Sequence, residues 1–583
     1  MGSKRTSTSS SSSTSTSDPS SPAHNAADAH DPANAQRTSM ASGMVPDGCA
    51  TAGVLSSAAG VATAEVVAAL TPLVPSPLDT LGQVAVDALP GAVVTTAIAV
   101  LGGANRVVLT LMSIVTALLL GALLGRIGAR SFPSALTLLS AVAIVALLAS
   151  LSRPDAAFPL VLLTLLLAGV VSGTLLFRLL GHLGAHRGLS SPGAPTPTDP
   201  PVDRRAFLRL GVASSVVSVA GTAVARRSGP PPGTTPSPTA PAPTAARPLP
   251  AVTAAQDLAS SIPEVSPVLT PIEDFFRIDT AVLLPRTDVA SWRLRIGGAV
   301  ERPLTLTYEE LTARDLVEVD ATIACVSNEV GGSLIGTARW VGVPLRELLE
   351  EVRPTAAAEQ LLSRSVDGFT AGFPLEVAAA TEDALVAVGM NGRVLPLEHG
   401  YPARLVVPGL FGYVSATKWL ADIELTAWDG VDGYWVPRGW SKEGPVKTGS
   451  RIEVPAAGGE VAAGTVVVAG VAWAPTRGIS RVEVVVADGD TSDAELFDTA
   501  DSTSTADSTS TAAGDLEVVA AQLVTPLSAA TWVQWRAEVP LAAGEHRLLV
   551  RAVDGDGVRQ ARGPAPPAPN GAEGWHTIRI RVV

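Results

Sequence analysis

The sequence predicts three folded tiers in series: a multi-span α-helical membrane anchor, an α+β domain and an all-β sandwich. Three observations predict this order. Only 16% of the 583 residues are charged, and the apolar excess behind a mean hydropathy of +0.33 sits mostly before residue 230. Several stretches in that region are long enough to cross a hydrocarbon core of about 30 Å. Beyond about residue 260 the periodicity becomes mixed, and after Val446 it turns to short alternating or β-branched runs. A chain of this length divides naturally into two to four units.

Residues 1–50 are low-complexity Ser, Thr, Ala, Asp and Pro, too small and polar to offset the entropy of ordering, and read as a disordered tail. The region 51–228 holds the anchor, with about five spans. Four are Gly53–Val74, Val107–Leu124, Ala135–Leu151 and Leu160–Leu180; the fifth is Phe207–Val224. Between the first two, Leu78–Val100 carries Asp79, Asp87 and Pro90 and reads as an interfacial piece. With a cytoplasmic N-terminus, Arg126 and Arg130 share one inner loop, and Arg187, Arg204 and Arg205 the next. Five spans then put everything after residue 230 outside the cytoplasmic membrane. Arg204-Arg205, in the run Asp203 to Arg209, resembles a twin-arginine export signal in an internal position. Glu65 lies within the first span, where an ionised carboxylate needs a partner or water. It serves either as a proton relay or as a bundle-facing acid.

Residues 229–260 are rich in Pro, Thr and Ala and are expected to be a semi-extended tether. The α+β domain covers 261–445. The last tier, 446–583, reads as an immunoglobulin-like sandwich. Near 490–515 the repeated Thr-Ala-Asp-Ser-Thr-Ser suggests a disordered insertion.

Charge and cysteine usage exclude several functions. A net charge of −13 is unsuited to displacing counterions from a phosphate backbone, so nucleic acid is not an expected partner. Two cysteines, Cys49 and Cys325, cannot build a zinc or iron–sulfur site in one chain. No histidine falls within the five spans and no C-x-x-C-H occurs, so electrons must pass to or from a separate partner.

Two segments carry chemistry. Cys325 ends an apolar run that enters the polar turn Val326-Ser327-Asn328-Glu329-Val330-Gly331-Gly332, a position from which a thiolate can be presented to a metal. A lone cysteine among apolar residues is equally a small buried hydrophobe. The second segment gathers Arg393, His399, Arg404 and Lys418 among glycines and prolines, a composition suited to holding an anionic group.

Together these segments resemble the oxidoreductase molybdopterin-binding domain of the sulfite oxidase and nitrate reductase family. The matching elements are Cys325 with Asn328, Trp340 to Leu345, Met390 to Pro396, His399 to Gly409 and Lys418 to Leu420, in the family's order. The following sandwich is similar to that family's dimerisation domain, including Gly574-Trp575-His576-Thr577-Ile578. The resemblance implies molybdenum held by a single pyranopterin, with the Cys325 thiolate as protein ligand. It implies that His399, Arg404 and Lys418 hold the pterin and its phosphate, aided by Asn328 and by Arg277. Tyr434 is the candidate for the family's active-site tyrosine, against ordinary packing beside Trp435. A homodimer is implied by the same resemblance.

The turn departs from the family in one respect. Sulfite oxidases proper read C-A-G-N-R-R, whereas Glu329 and Val330 follow Asn328 here. A carboxylate there repels a dianion, which argues against sulfite. The expected function is two-electron oxygen-atom transfer on a small molecule. The alternatives are a reductase of sulfoxide type and a non-enzymatic, membrane-anchored binding or adhesion module.

Overall fold

The computed structural model describes residues 48–583 apart from 71–73, 79, 81, 83–104, 152–156, 184–204, 207, 211, 214–241, 282–283, 286, 503–509 and 514–515. Residues 1–47 of the expected tail, most of the interfacial piece, Arg204 and most of the fifth span lie outside the described residues, while Cys49 and Ala50, placed in the tail by composition, begin the first helix.

Among the described residues, four helices are long and apolar enough to cross a membrane: α1 (Cys49–Leu70), α2 (Asn105–Arg130), α3 (Phe132–Leu151) and α4 (Phe158–His182). They match the first four expected spans. Their outward residues are apolar, among them Leu111, Leu119, Leu148, Leu163 and Val170, as a helix surrounded by hydrocarbon requires. α1 packs on both α2 and α4. Its approach to α2 depends on small residues: a side-chain carbon at Gly53 would overlap the Gly121 carbonyl, and one at Gly125 would overlap the Cys49 carbonyl. Backbone-to-backbone contact of this kind drives helix association where water supplies no hydrophobic force. The Glu65 carboxylate accepts from the Ser76 hydroxyl at 2.8 Å and the Leu78 N–H at 3.1 Å. It caps the turn after α1, which favours the bundle-facing reading over a relay.

The next tier contains ten strands: β1 (Arg293–Gly298), β2 (Leu304–Thr307), β3 (Val317–Ala324), β4 (Ile335–Pro344), β5 (Gln360–Ser365), β6 (Thr370–Pro374), β7 (Leu385–Met390), β8 (Arg393–Val394), β9 (Arg404–Val406) and β10 (Leu420–Thr426). One sheet runs β2-β1-β10-β5-β6; the other runs β3-β4-β7-β8, with β9 also on β7. Short helices join them, such as Leu345–Val352, whose Leu345, Leu348, Leu349 and Val352 are buried at the 3–4–7 spacing of an amphipathic helix. One core, including Leu294, Val343, Leu361, Phe373, Leu405 and Ile423, takes side chains from both sheets. β3 and β4 pair antiparallel up to Ala324 opposite Ile335, which fixes where the Cys325 turn begins.

The tether expected over 229–260 ends earlier than its composition suggested. The Ala242 N–H donates to Gly392 at 3.0 Å, the Ala246 N–H to Leu316 at 2.8 Å, and Arg247 bridges Val317 in parallel. Ala245 and Leu258 are buried, so residues 242–260 are docked on the folded domain. Isolated small apolar residues in a Pro-rich stretch conceal this burial from a compositional reading.

The C-terminal tier has two sheets. One comprises Gly449–Val454, Gly464–Trp473, Val533–Leu541 and Gln522–Leu523; the other has six strands centred on Ile479–Asp488 and Gly544–Asp554. Their facing residues, including Val468, Val484, Trp535, Leu548 and Ile580, form one core. The region expected to be a disordered insertion is partly ordered. Asp493–Ser502 is a helix and Ser510–Ala513 a strand. Leu496 and Ala500, four residues apart, bury against Val485, Leu549 and Trp575, an apolar pair that the repeat obscured.

Candidate active site

The Cys325 turn is closed by its own backbone and one side chain. The Cys325 N–H donates to Leu334 at 2.9 Å and the Asn328 N–H to Cys325 at 3.0 Å. The Asn328 side-chain carbonyl accepts from the Leu334 N–H at 2.8 Å. Asn328 is thereby a turn-closing residue. The neighbouring Ser327 N–H and hydroxyl and the Lys418 charge act on the Cys325 sulfur. Burial pushes the thiol pKa up, and these two donors and the cation oppose that rise. Donors and a cation aimed at sulfur favour the thiolate, the form that binds metal.

The second segment folds into a cationic pocket wall. His399 ends a short 3-10 turn, Leu397–His399. Gly400 follows with φ +113, and a side-chain carbon there would lie 3.0 Å from Lys418 and 3.2 Å from Arg404. Glycine therefore lets the two cation-bearing segments approach. Arg404, 4% exposed, donates to the His399 carbonyl at 3.1 Å and lies over the Trp340 ring at 4.9 Å. Burial pulls its pKa down to about 9. Lys418 donates to Asp279 at 3.0 Å and to the Glu398 carbonyl at 3.0 Å. Arg277 also faces Asp279, at 3.8 Å, and is more exposed.

Two features fit an anionic, hydrogen-bonding cofactor. No ion pair to Arg404 exists among the described residues, an expensive arrangement for a buried guanidinium unless an anion is to arrive. The buried Nδ1 of His399 has no hydrogen-bond partner, while Nε2 faces the Ile272 carbonyl at 3.2 Å. With Nε2 as donor, Nδ1 offers a lone pair to a ligand N–H or O–H. Among the described residues no group of three or more His, Cys, Asp or Glu could hold a metal ion by itself.

His399, Arg404 and Lys418 are thus brought together, with Cys325 within reach of the Lys418 field. Asp279 was not foreseen; it partly neutralises the wall by engaging Lys418 and Arg277. Its partner lies 139 positions away, and only the fold brings the two together. Tyr434 packs against Phe369 at 5.7 Å and Trp435 at 5.1 Å, with the Arg438 guanidinium 3.7 Å above its ring.

Burial, then Arg404 and Lys418, hold the His399 pKa down at about 3. Its folded value lies below its unfolded value near 6.5, so the unfolded chain takes the proton first as pH falls. His399 therefore costs stability progressively from about pH 6.5 towards 3, by up to about 1.4 kcal/mol per pH unit. Melting of the cofactor-free protein should fall less between pH 6 and 4 in His399→Gln than in wild type. Parallel melting profiles would show that the ring is not buried neutral.

The oxidoreductase molybdopterin binding domain family matches residues 281–435, a range that includes Cys325, His399, Arg404, Lys418 and Tyr434. Chicken (Gallus gallus) sulfite oxidase is 29% identical over 339 residues, 49% of this chain and 66% of that protein. The chain therefore spans just under two-thirds of that relative's length. An uncharacterised oxidoreductase of Bacillus subtilis (strain 168), YuiH, is 32% identical over 157 residues, 27% of this chain and 76% of that protein. The sulfane dehydrogenase SoxCD from Paracoccus pantotrophus aligns over 53% of this chain and 80% of that chain, with 22% identity and a TM-score of 0.42, too slight a likeness to bear on the site. Family domain and bacterial relative agree with the pocket: the chain belongs to the sulfite oxidase family of molybdopterin-dependent oxidoreductases.

Proposed function

We propose that this chain is a membrane-anchored enzyme that carries out two-electron oxygen-atom transfer on a small molecule outside the cytoplasmic membrane. The observation that carries the reading is a buried wall of Arg404, Lys418 and unpartnered His399 Nδ1 beside a donor-lined Cys325. When bound, molybdenum held by a single pyranopterin supplies the redox chemistry. Cys325 is its protein ligand. Arg404 and Lys418 bind the phosphate, one as a fork and one as a point charge, and His399 accepts a hydrogen bond from the pterin. Asn328 acts by shaping the turn, and Arg277 by adding charge at the rim. Tyr434 is the candidate donor at the metal. The C-terminal sheets form an immunoglobulin-like sandwich that pairs two copies, and electrons pass to or from a separate partner protein.

A reductase of sulfoxide type is favoured over sulfite oxidation by Glu329, which is exposed on the Cys325 turn. Its charge on that turn opposes a dianion. Turnover of purified protein with sulfite and with a small sulfoxide separates the two. Molybdenum analysis tests the enzyme itself: stoichiometric metal in protein from cofactor-competent cells supports it, whereas its absence leaves only a binding or adhesion module.

Delivery of a domain already folded around its cofactor requires the twin-arginine route. Arg204→Lys with Arg205→Lys keeps the charge and removes the pair. The double variant should leave the catalytic domain inside, protected from protease added to intact cells. Unchanged accessibility would make the pair a plain positive-inside anchor.

A further inference from the structure

The turn that carries Cys325 is gripped from outside by the C-terminal tier. The Arg451 guanidinium, 9% exposed, donates to the Gly332 carbonyl at 2.5 Å. Its head is fixed on the other side by Glu453, which accepts at 2.8 and 2.5 Å, and by the Ser266 hydroxyl at 3.0 Å. Glu453 is itself held by the Ser266 N–H at 2.8 Å and hydroxyl at 2.6 Å. One residue away, Gly331 has φ +76, and a side-chain carbon there would run into the His576 ring. His576 is in turn fixed by the Ile452 N–H, which donates to Nδ1 at 3.0 Å. Gly332 closes the loop through its N–H to the Glu329 carbonyl at 2.9 Å.

We infer that Arg451 is a positioning residue for the metal-ligating turn. The inner side of the turn is held by Asn328 and by the Cys325–Leu334 backbone pair; without Arg451 its outer side is left to packing against His576. A charged hydrogen bond from a guanidinium already locked by a carboxylate holds the turn without ordering a free side chain at that moment. The C-terminal tier thereby helps set the thiolate position, a task separate from any pairing of subunits. The inference rests on Cys325 being the molybdenum ligand.

The test uses the full-length chain with Cys49→Ala, so that Cys325 is the one thiol. In the cofactor-free protein, alkylation of buried Cys325 by iodoacetamide reads local opening of the turn. Arg451→Met should raise that rate about ten- to a hundredfold, the factor expected for a lost charged hydrogen bond. Arg451→Lys, which keeps the charge but not the fork, should fall between Met and wild type, and it serves if the methionine variant does not fold. In the loaded protein the thiolate-to-molybdenum absorption should shift in both variants. Arg547→Met, which removes a buried cation that donates to Thr491 at 2.6 Å and not to the turn, should lower the melting temperature yet leave alkylation and absorption as in wild type. Wild-type alkylation and absorption in the Arg451 variants would overturn the inference, as would equal changes in Arg547→Met. If the wild-type protein carries no molybdenum, the ligand assignment fails; the alkylation rates still report whether Arg451 restrains the turn.

Discussion

Cys325→Ser should leave the protein folded and able to retain pterin, while turnover drops by more than about 100-fold. Loss of groups that merely orient a metal ligand typically costs 10–100-fold, and loss of the ligand itself exceeds that. Serine keeps nearly the size and the polarity of the side chain at this buried position. Its oxygen, however, is a hard ligand of far higher pKa than a thiol and a poor substitute at a site built for soft sulfur. The phosphate and pterin contacts proposed for His399, Arg404 and Lys418 come from a different segment and should persist. The expected pattern is therefore unchanged pterin content after acid release, loss of the thiolate-to-metal absorption, and near-absent activity. Normal turnover in Cys325→Ser would return Cys325 to the role of a small buried hydrophobe.

The four apolar helices were legible because length and hydropathy alone decide which segments are long and apolar enough to cross a bilayer, and α1 to α4 follow the expected spans closely. The cationic wall was legible because His399, Arg404 and Lys418 lie within 20 positions of one another. Charges so close in sequence, punctuated by glycine and proline, seldom spread over a whole domain. What escaped was long-range pairing. Asp279 answers Lys418 across 139 positions, and Arg451 reaches Gly332 across 119. Nothing local distinguishes either residue from a solvated surface charge. Asn328 was legible as part of the turn; its turn-closing contact with the Leu334 N–H emerges only once the chain folds back. The 493–502 helix was obscured for a different reason: its core contacts, Leu496 and Ala500 with the partly buried Phe497 beside them, run into a polar repeat that begins at Thr499. Local composition thus located the pocket, while tertiary structure revealed the groups that tune it.

Arg404→Met should move stability and cofactor retention in opposite directions. In the cofactor-free chain the Arg404 guanidinium is buried without a carboxylate, and burial lowers its pKa to about 9 from an unfolded value above 12. At pH 7 the side chain is charged in both states, so the full burial cost, of the order of several kcal/mol, falls on the folded state. That cost is lifted in Arg404→Met. Against it stand the lost hydrogen bonds to the His399, Leu405 and Ala416 carbonyls at 3.1, 3.4 and 3.4 Å and the contact with the Trp340 ring, together of the same order, since a hydrogen bond from a charged group is worth about 1.5 kcal/mol or more. Methionine fills much of the same volume and is itself polarisable against the indole. The melting temperature of the cofactor-free variant should therefore stay level or rise. Cofactor retention should collapse, because a buried charged pair with one partner removed costs about 3–5 kcal/mol, a factor of roughly a hundred or more in affinity. Pterin content after gel filtration and melting temperature, measured on the same preparations, check both halves. A lower melting temperature with normal pterin content would make Arg404 a structural cation satisfied by its carbonyls. The opposite result would identify it as a residue whose burial destabilises the empty fold and is compensated when the phosphate binds.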